Sequence, residues 1–218
     1  MINHLKPILL AVGLHLWRTD FSLPVWQWQE AWGMLSSDEK KRADGYVFPQ
    51  DRERFILRRG LLRMLISFYT GLEPAQVRLG INRYGKPFLE NPRPNQPLYF
   101  NLSHSGNLAA YLFSRVGETG VDIEKIDPAY PWETVSKHFC SPEEQEQILS
   151  LPKNERQRAF FALWTCKEAY VKATGQGLSA LQDTLPGRRM GSLEWQITPL
   201  ELGEGYVGHA TVTHDRSK

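Results

Sequence analysis

The sequence predicts an α+β fold made of two similar lobes in a pseudo-twofold arrangement, each a long helix packed on a small, mostly antiparallel sheet. Two observations carry this reading. First, stretches with period-two alternation, such as Gly120-Val121-Asp122-Ile123-Glu124-Lys125, are interleaved with stretches of helical periodicity, such as Trp164 to Lys172, and the joining loops are short. Second, several segments recur about half a chain apart. Gly13 and Gly120 open similar strands 107 residues apart, and Ser36 and Ser141, 105 apart, each open an S-x-x-E capping box (with Glu39 and Glu144). Gly71 and Gly177, 106 apart, each end a helix and precede a leucine, Leu72 or Leu178. The repeat divides the chain into an N-terminal lobe, residues 1–115, and a C-terminal lobe, residues 116–218.

In chain order, the apolar run Ile8 to Leu14 is the first strand. It is far short of a membrane span, and His15, Trp17, Arg18 and Asp20 follow it instead of a small-residue cleavage site. Ser36 caps the next helix. A long helix then carries Arg54, Arg58, Arg59 and Arg63, with Arg54 and Arg58 on one stripe and Arg59 and Arg63 on another. After the Gly71-Leu72 stop, Tyr84-Gly85-Lys86-Pro87 is a turn whose proline fixes the backbone. Phe100-Asn101-Leu102-Ser103-His104-Ser105 closes an apolar strand, and Ser114 to Glu118 reads as a hairpin turn between the lobes. The second copy runs from the Gly120–Lys125 strand through the Ser141 cap to the helix containing Trp164 to Lys172, which the repeat extends to Gly177.

Composition excludes several classes. With 41% hydrophobic and 23% charged residues in 218, the chain has the make-up of an ordinary globular protein, not of a disordered one. A formal charge of +2 is too mild for a nucleic-acid binder, although a modestly basic surface suits an acidic partner. Cys140 and Cys166 are the only cysteines, and the second lies within a helical stretch where a disulfide is awkward, which predicts a cytoplasmic protein.

The chemistry concentrates in two acidic clusters. Alternation places Asp122 and Glu124 on one face of their strand, opposite Val121 and Ile123. Glu168 and Lys172 are four residues apart on a helix and therefore stack about a turn from one another. Three hard oxygen donors suffice for Mg²⁺, which keeps several waters and takes further ligands from phosphates. Either cluster alone is an ordinary solvated strand face or surface ion pair.

Taken together and in order, the arginine helix, Tyr84–Pro87, Phe100–Ser105, Gly120–Lys125, Phe139–Glu144 (F-C-S-P-E-E) and Trp164–Leu178 resemble the two-lobed, surfactin-type 4'-phosphopantetheinyl transferases across nearly the whole chain. The resemblance implies coenzyme A and an apo acyl or peptidyl carrier protein as partners. It implies that a carrier serine attacks the β-phosphate, giving holo-carrier and adenosine 3',5'-bisphosphate. It implies that Asp122, Glu124 and Glu168 hold Mg²⁺, and that Lys172 binds a phosphate oxygen and protonates the leaving bisphosphate. It also implies that Arg54, Arg59, Lys86, Ser103, His104 and Asp122 contact the coenzyme. Phe55 stands where the family often has a small hydroxyl residue, next to Arg54. Glu144 matches a family glutamate proposed as general base for the carrier serine, and it is equally the N3 residue of the Ser141 capping box, as Glu39 is of the Ser36 box.

In the first copy His15 and Trp17 fall where Asp122 and Glu124 sit, so one chain is expected to form one active site and to act as a monomer, without nucleic acid or membrane. A non-catalytic coenzyme- or carrier-binding homologue, and an Mg-dependent phosphodiesterase of coenzyme A, are the alternative readings of the same residues.

Overall fold

The computed structural model describes residues 5–22, 28–92, 96–175 and 193–215. Its first sheet has the order β1-β2-β6-β5, formed by β1 (Ile8–Ala11), β2 (Leu14–Asp20), β5 (Tyr99–Ser105) and β6 (Leu108–Ser114), with every neighbouring pair antiparallel. A small ribbon, β3 (Leu79–Ile81) with β4 (Pro87–Leu89), lies between them in sequence. The second sheet has the order β7-β9-β8, from β7 (Thr119–Lys125), β8 (Leu193–Pro199) and β9 (Tyr206–Asp215). Helices α1 (Trp28–Met34), α2 (Ser37–Asp44) and α3 (Pro49–Thr70) belong to the first lobe, and α4 (Trp132–Phe139), α5 (Pro142–Ser150) and α6 (Lys153–Thr174) to the second.

The fold is α+β and two-lobed, as the sequence predicts. The order β2-β6-β5 is answered by β7-β9-β8, and the 22-residue helices α3 and α6 fill the same place in each lobe. Both helices end on a glycine in the left-handed region, Gly71 at φ 68° and Gly175 at φ 66°, where a side chain would strain the backbone. Ser36 and Ser141 make complete capping boxes with Glu39 and Glu144.

Three local expectations are corrected. The second long helix stops at Thr174 with Gly175 as its cap; Gly177 and Leu178 lie outside the described residues. Gly13 is a turn residue with φ 74° between β1 and β2, whereas Gly120 is inside β7. The strands therefore correspond from Leu14 to Thr119, 105 apart, and Trp17 and Thr19, instead of His15 and Trp17, fall opposite Asp122 and Glu124. Finally, residues 115–118 are not a hairpin turn: β6 and β7 do not pair, and the link carries the chain from one sheet to the other.

Strand alternation explains the packing. Leu14, Leu16, Ala110 and Leu112 from the first sheet meet Val121, Ile123, Ala210 and Val212 from the second in one buried cluster, so an apolar core joins the lobes. The opposite face of the first sheet, through Trp17, Phe100, Tyr111 and Phe113, packs under Leu61, Leu62, Leu65 and Ile66 of α3. Each such side chain contributes about 1.5–3 kcal/mol by leaving water. In the second lobe α6 lies against β7 so closely that a Cβ built on Gly120 would fall 2.0 Å from the Ala169 carbonyl oxygen. Asp122 is consequently only 4% exposed, not on a solvated face as the alternation suggests, because α6 covers the side of β7 opposite the apolar core. No described helix is long and apolar enough to cross a membrane.

Candidate active site

A cleft of about 470 Å³ opens between the lobes, within the usual size range for small-molecule sites. Its first-lobe wall includes Arg42, Arg59, Tyr84, Lys86 and His104, and its second-lobe wall includes Glu168 and Lys172. The geometry brings together residues predicted separately from the two halves of the sequence.

Lys172 lines the cleft, and its Nζ donates to two residues behind the lining, to Asp122 Oδ1 at 2.6 Å and to Ser103 Oγ at 3.3 Å. Ser103 in turn donates to the same Asp122 oxygen at 2.9 Å. Asp122 Oδ2 is buried and has no hydrogen-bond partner among the described residues. An orphaned carboxylate oxygen in a dry setting costs free energy unless a cation or donor meets it.

The remaining carboxylates are raised in pKa, first by burial and then by crowding with Asp122. Burial, then the Asp122 charge, pushes the Glu168 carboxyl up to about 7, with Lys172 opposing and Glu124 adding to the rise. Glu124 is also raised, first by burial, while a hydrogen bond from Ser105 works against the shift. Among the described residues no three histidine, cysteine or acidic side chains stand gathered at metal-ligand distances. The Asp122 oxygen and the Glu124 and Glu168 carboxylates are hard oxygen donors, the type of ligand that Mg²⁺ takes.

The predicted coenzyme contacts divide into groups. His104 keeps an exposed edge in the cleft, yet desolvation by its surroundings, reinforced by the Arg58 and Lys172 charges, depresses its pKa to about 4. Lys86 reaches across the lobes, donating to the Ala173 carbonyl at 3.0 Å and to Glu118 at 2.6 Å. Arg59 lines the cleft with its Nε on Glu39 at 2.6 Å, and Arg54 donates to Asn107 at 2.8 Å. Arg63, 2% exposed, holds Glu39 and the Pro74 and Val77 carbonyls, so it is a core cation and not a phosphate ligand. Ser103 is buried, with its hydroxyl engaged by Asp122, the Ile123 amide and Lys172.

Glu144, like Arg54, Ser103, Asp122 and Glu124, is not among the cleft-lining residues. It is 7% exposed, and its Oε2 accepts from the Ser141 amide at 2.7 Å and from Lys167 Nζ at 2.6 Å. Lys167 is 3% exposed and also donates to the Phe139 carbonyl. The first lobe repeats this arrangement with Glu39, the Ser36 amide and Arg63, so in both lobes a capping glutamate pins the long helix to the preceding short one. Removing one member of such a buried pair strands the other's charge, at a cost of about 3–5 kcal/mol.

Sequence reasoning overlooked Lys167, Asn101 and Ser105 as structural partners of the site. The signal available for the last two was Asn101, Ser103 and Ser105 alternating along an otherwise apolar strand.

An interlobe cleft lined by Arg42, Arg59, Lys86 and Lys172, with Glu168 beside them and Asp122 behind Lys172, suits a phosphate ester. The family profile "4'-phosphopantetheinyl transferase superfamily" matches residues 118–209, and "4'-phosphopantetheinyl transferase, N-terminal" matches residues 23–114. The chain is 40% identical over 211 residues to the 4'-phosphopantetheinyl transferase HetI of Nostoc sp., covering 94% of this chain and 89% of that one. It is 31% identical over 155 residues to the 4'-phosphopantetheinyl transferase Sfp of Bacillus subtilis, covering 71% and 66%. It is also 28% identical over 224 residues to the mouse L-aminoadipate-semialdehyde dehydrogenase-phosphopantetheinyl transferase, covering 95% and 69%. The chain belongs to the 4'-phosphopantetheinyl transferase family.

Proposed function

We propose that the interlobe cleft binds coenzyme A and that its second-lobe side catalyses transfer of the 4'-phosphopantetheine group to a serine of an acyl or peptidyl carrier protein. Family membership gives the transferase class; the observation that supports assigning the chemistry to this side is the meeting of Asp122, Lys172 and Glu168 beside a cationic wall. In this reading His104, Arg54, Arg59 and Lys86 hold the phosphates and adenosine end of the coenzyme. Asp122, Glu124 and Glu168 are the residues to hold Mg²⁺, which when bound would neutralise charge on the pyrophosphate. Lys172 moves its ammonium from Asp122 to a phosphoryl oxygen and protonates the departing bisphosphate. The buried Glu144–Lys167 pair supports a positioning role for Glu144 over that of general base: it fixes the rotation of α6, and Lys167 directly precedes Glu168. Both walls come from one chain, which supports a monomer; light scattering should give the 25.1 kDa mass of a single chain, and an obligate dimer would contradict it.

The test is to incubate the protein with coenzyme A and Mg²⁺, with and without apo carrier proteins of fatty-acid, polyketide and peptide synthesis. Bisphosphate that appears only with carrier, together with a pantetheinyl mass gain on it, is the expected result. Bisphosphate without carrier would mean a phosphodiesterase, and none under any condition a binding protein.

His104 offers a pH test. With its folded pKa near 4 instead of the ordinary 6.5, the unfolded chain binds the ring's proton first, so this residue lowers stability as pH falls from about 6.5 towards 4. A bound phosphate opposes the Arg58 and Lys172 charges and raises the pKa, so coenzyme binding takes up a proton and strengthens as pH falls through the bound-state value. An NMR titration of the His104 ring, assigned with His104→Gln, should show a low pKa that rises on adding coenzyme A. A free-state value at or above 6.5, or no shift with coenzyme, would remove His104 from the phosphate site.

A further inference from the structure

The lobes meet along β5 and β7 in an unusual way. The Val121 amide donates to Asn101 Oδ1 at 2.9 Å, the Ile123 amide to Ser103 Oγ at 3.3 Å and the Lys125 amide to Ser105 Oγ at 3.0 Å. The constant separation of 20 residues means that the strands run parallel, with side chains of β5 taking the amides that backbone carbonyls would otherwise accept. Alternation permits this: Phe100 and Leu102 pack into the core beneath α3, and Asn101, Ser103 and Ser105 turn the other way towards β7.

The two serines do more than the asparagine. Ser103 donates its proton to Asp122 Oδ1 at 2.9 Å, and Ser105 donates its own to Glu124 Oε2 at 2.7 Å. A hydroxyl has one donor and two acceptor sites, and Ser103 fills all three with Asp122, the Ile123 amide and the Lys172 ammonium. Each serine thus grips a carboxylate and the amide that follows it in β7. With Ser103 and Lys172 both on Oδ1, the bare oxygen of Asp122 is Oδ2.

We propose that Ser103 and Ser105 are positioning residues of the transferase: supplied by the first lobe, they fix the rotamers of Asp122 and Glu124 across the seam and so set the donor atoms presented to a divalent cation. Asn101 fastens the same strand and, among the described residues, makes no hydrogen bond to either carboxylate, which makes it the internal control. The inference rests on the reading of Asp122, Glu124 and Glu168 as a Mg²⁺ site.

The test is calorimetric titration of Mg²⁺, repeated with Mn²⁺, into the wild-type chain and the Ser105→Ala, Ser105→Thr, Ser103→Ala and Asn101→Ala variants, each first checked by thermal unfolding. Ser105 lies near the end of its strand and is only part-buried, so Ser105→Ala carries the test if the buried Ser103→Ala fails to fold. Groups that orient metal ligands are worth about 10–100-fold in affinity. Ser105→Ala is therefore expected to weaken cation binding roughly tenfold or more, Ser105→Thr to restore most of it, and Asn101→Ala to lower the melting temperature with cation affinity within about twofold. Wild-type cation affinity in a folded Ser105→Ala variant, or equal weakening in Asn101→Ala, overturns the positioning role and leaves the metal-site reading standing. Failure of the wild-type chain to bind either cation, with coenzyme A present as well as without it, overturns both.

Discussion

Asp122→Asn is expected to lower the rate of carrier modification by at least about 100-fold, because replacing a ligand outright costs more than the 10–100-fold lost when its supporting partner is removed. Asparagine keeps the shape of the side chain and an oxygen for Ser103, so the melting temperature should stay close to that of the wild type. The alanine variant has the same effect on rate and a different one on stability. Asp122 is 4% exposed and carries hydrogen bonds from Ser103 and Lys172, so truncation leaves buried donors without an acceptor. The ammonium of Lys172, whose side chain is 30% exposed, can turn to water and recover part of that cost. Rates measured at saturating coenzyme and cation, beside unfolding curves for both variants, separate the two effects. Near-normal turnover in a folded Asp122→Asn variant would remove this carboxylate from the mechanism.

Gly120→Ala is expected to be the most damaging single-methyl change in the second lobe. The added Cβ would lie 2.0 Å from the Ala169 carbonyl oxygen, 2.5 Å from the Ala173 nitrogen and 3.0 Å from the Lys172 carbonyl carbon. All three are backbone atoms of α6, so no rotamer change relieves the clash, and either the helix moves away from β7 or the strand leaves its sheet. Overpacking typically costs about 1–3 kcal/mol, and with an immovable neighbour a loss of at least about 3 kcal/mol is expected in denaturant unfolding. Because the helix carries Glu168 and Lys172 while the strand carries Asp122 and Glu124, whatever folded protein remains should also transfer slowly. A variant with wild-type stability would mean that α6 does not pack on β7 this tightly.

The two changes mark different kinds of legibility. Asp122 was readable as one of two carboxylates sharing a strand face, since the spacing of D-x-E fixes that face, while its assignment to a metal came from the resemblance and not from the pattern. Gly120 was readable only as the start of a motif; what it excludes belongs to a helix some fifty residues away. The arginine helix shows the same limit. Periodicity sorted its four arginines into two stripes, but not their partners: Glu39 takes both Arg59 and Arg63, Asn107 takes Arg54, and Arg58 lies close enough to His104 to depress its pKa. Glu144 was left between two roles because a capping box looks identical whether or not its glutamate reaches a substrate, and Lys167, 23 residues on, supplies the buried partner.

By itself the sequence determined the α+β class, the duplicated lobe and the capping boxes. These follow from periodicity and from backbone preferences that act over a few residues, and each recurs in both halves with little dependence on distant contacts. Only the tertiary structure decided the strand register at 105 residues, the burial of Asp122, the helix stop at Gly175 and the Asn101-Ser103-Ser105 seam. Each of these depends on which surfaces meet across the lobes. A hydroxyl on a strand becomes a clamp on a carboxylate only when another lobe's edge is brought within hydrogen-bond distance, and the steric and desolvation terms that bring it there are summed over the whole fold.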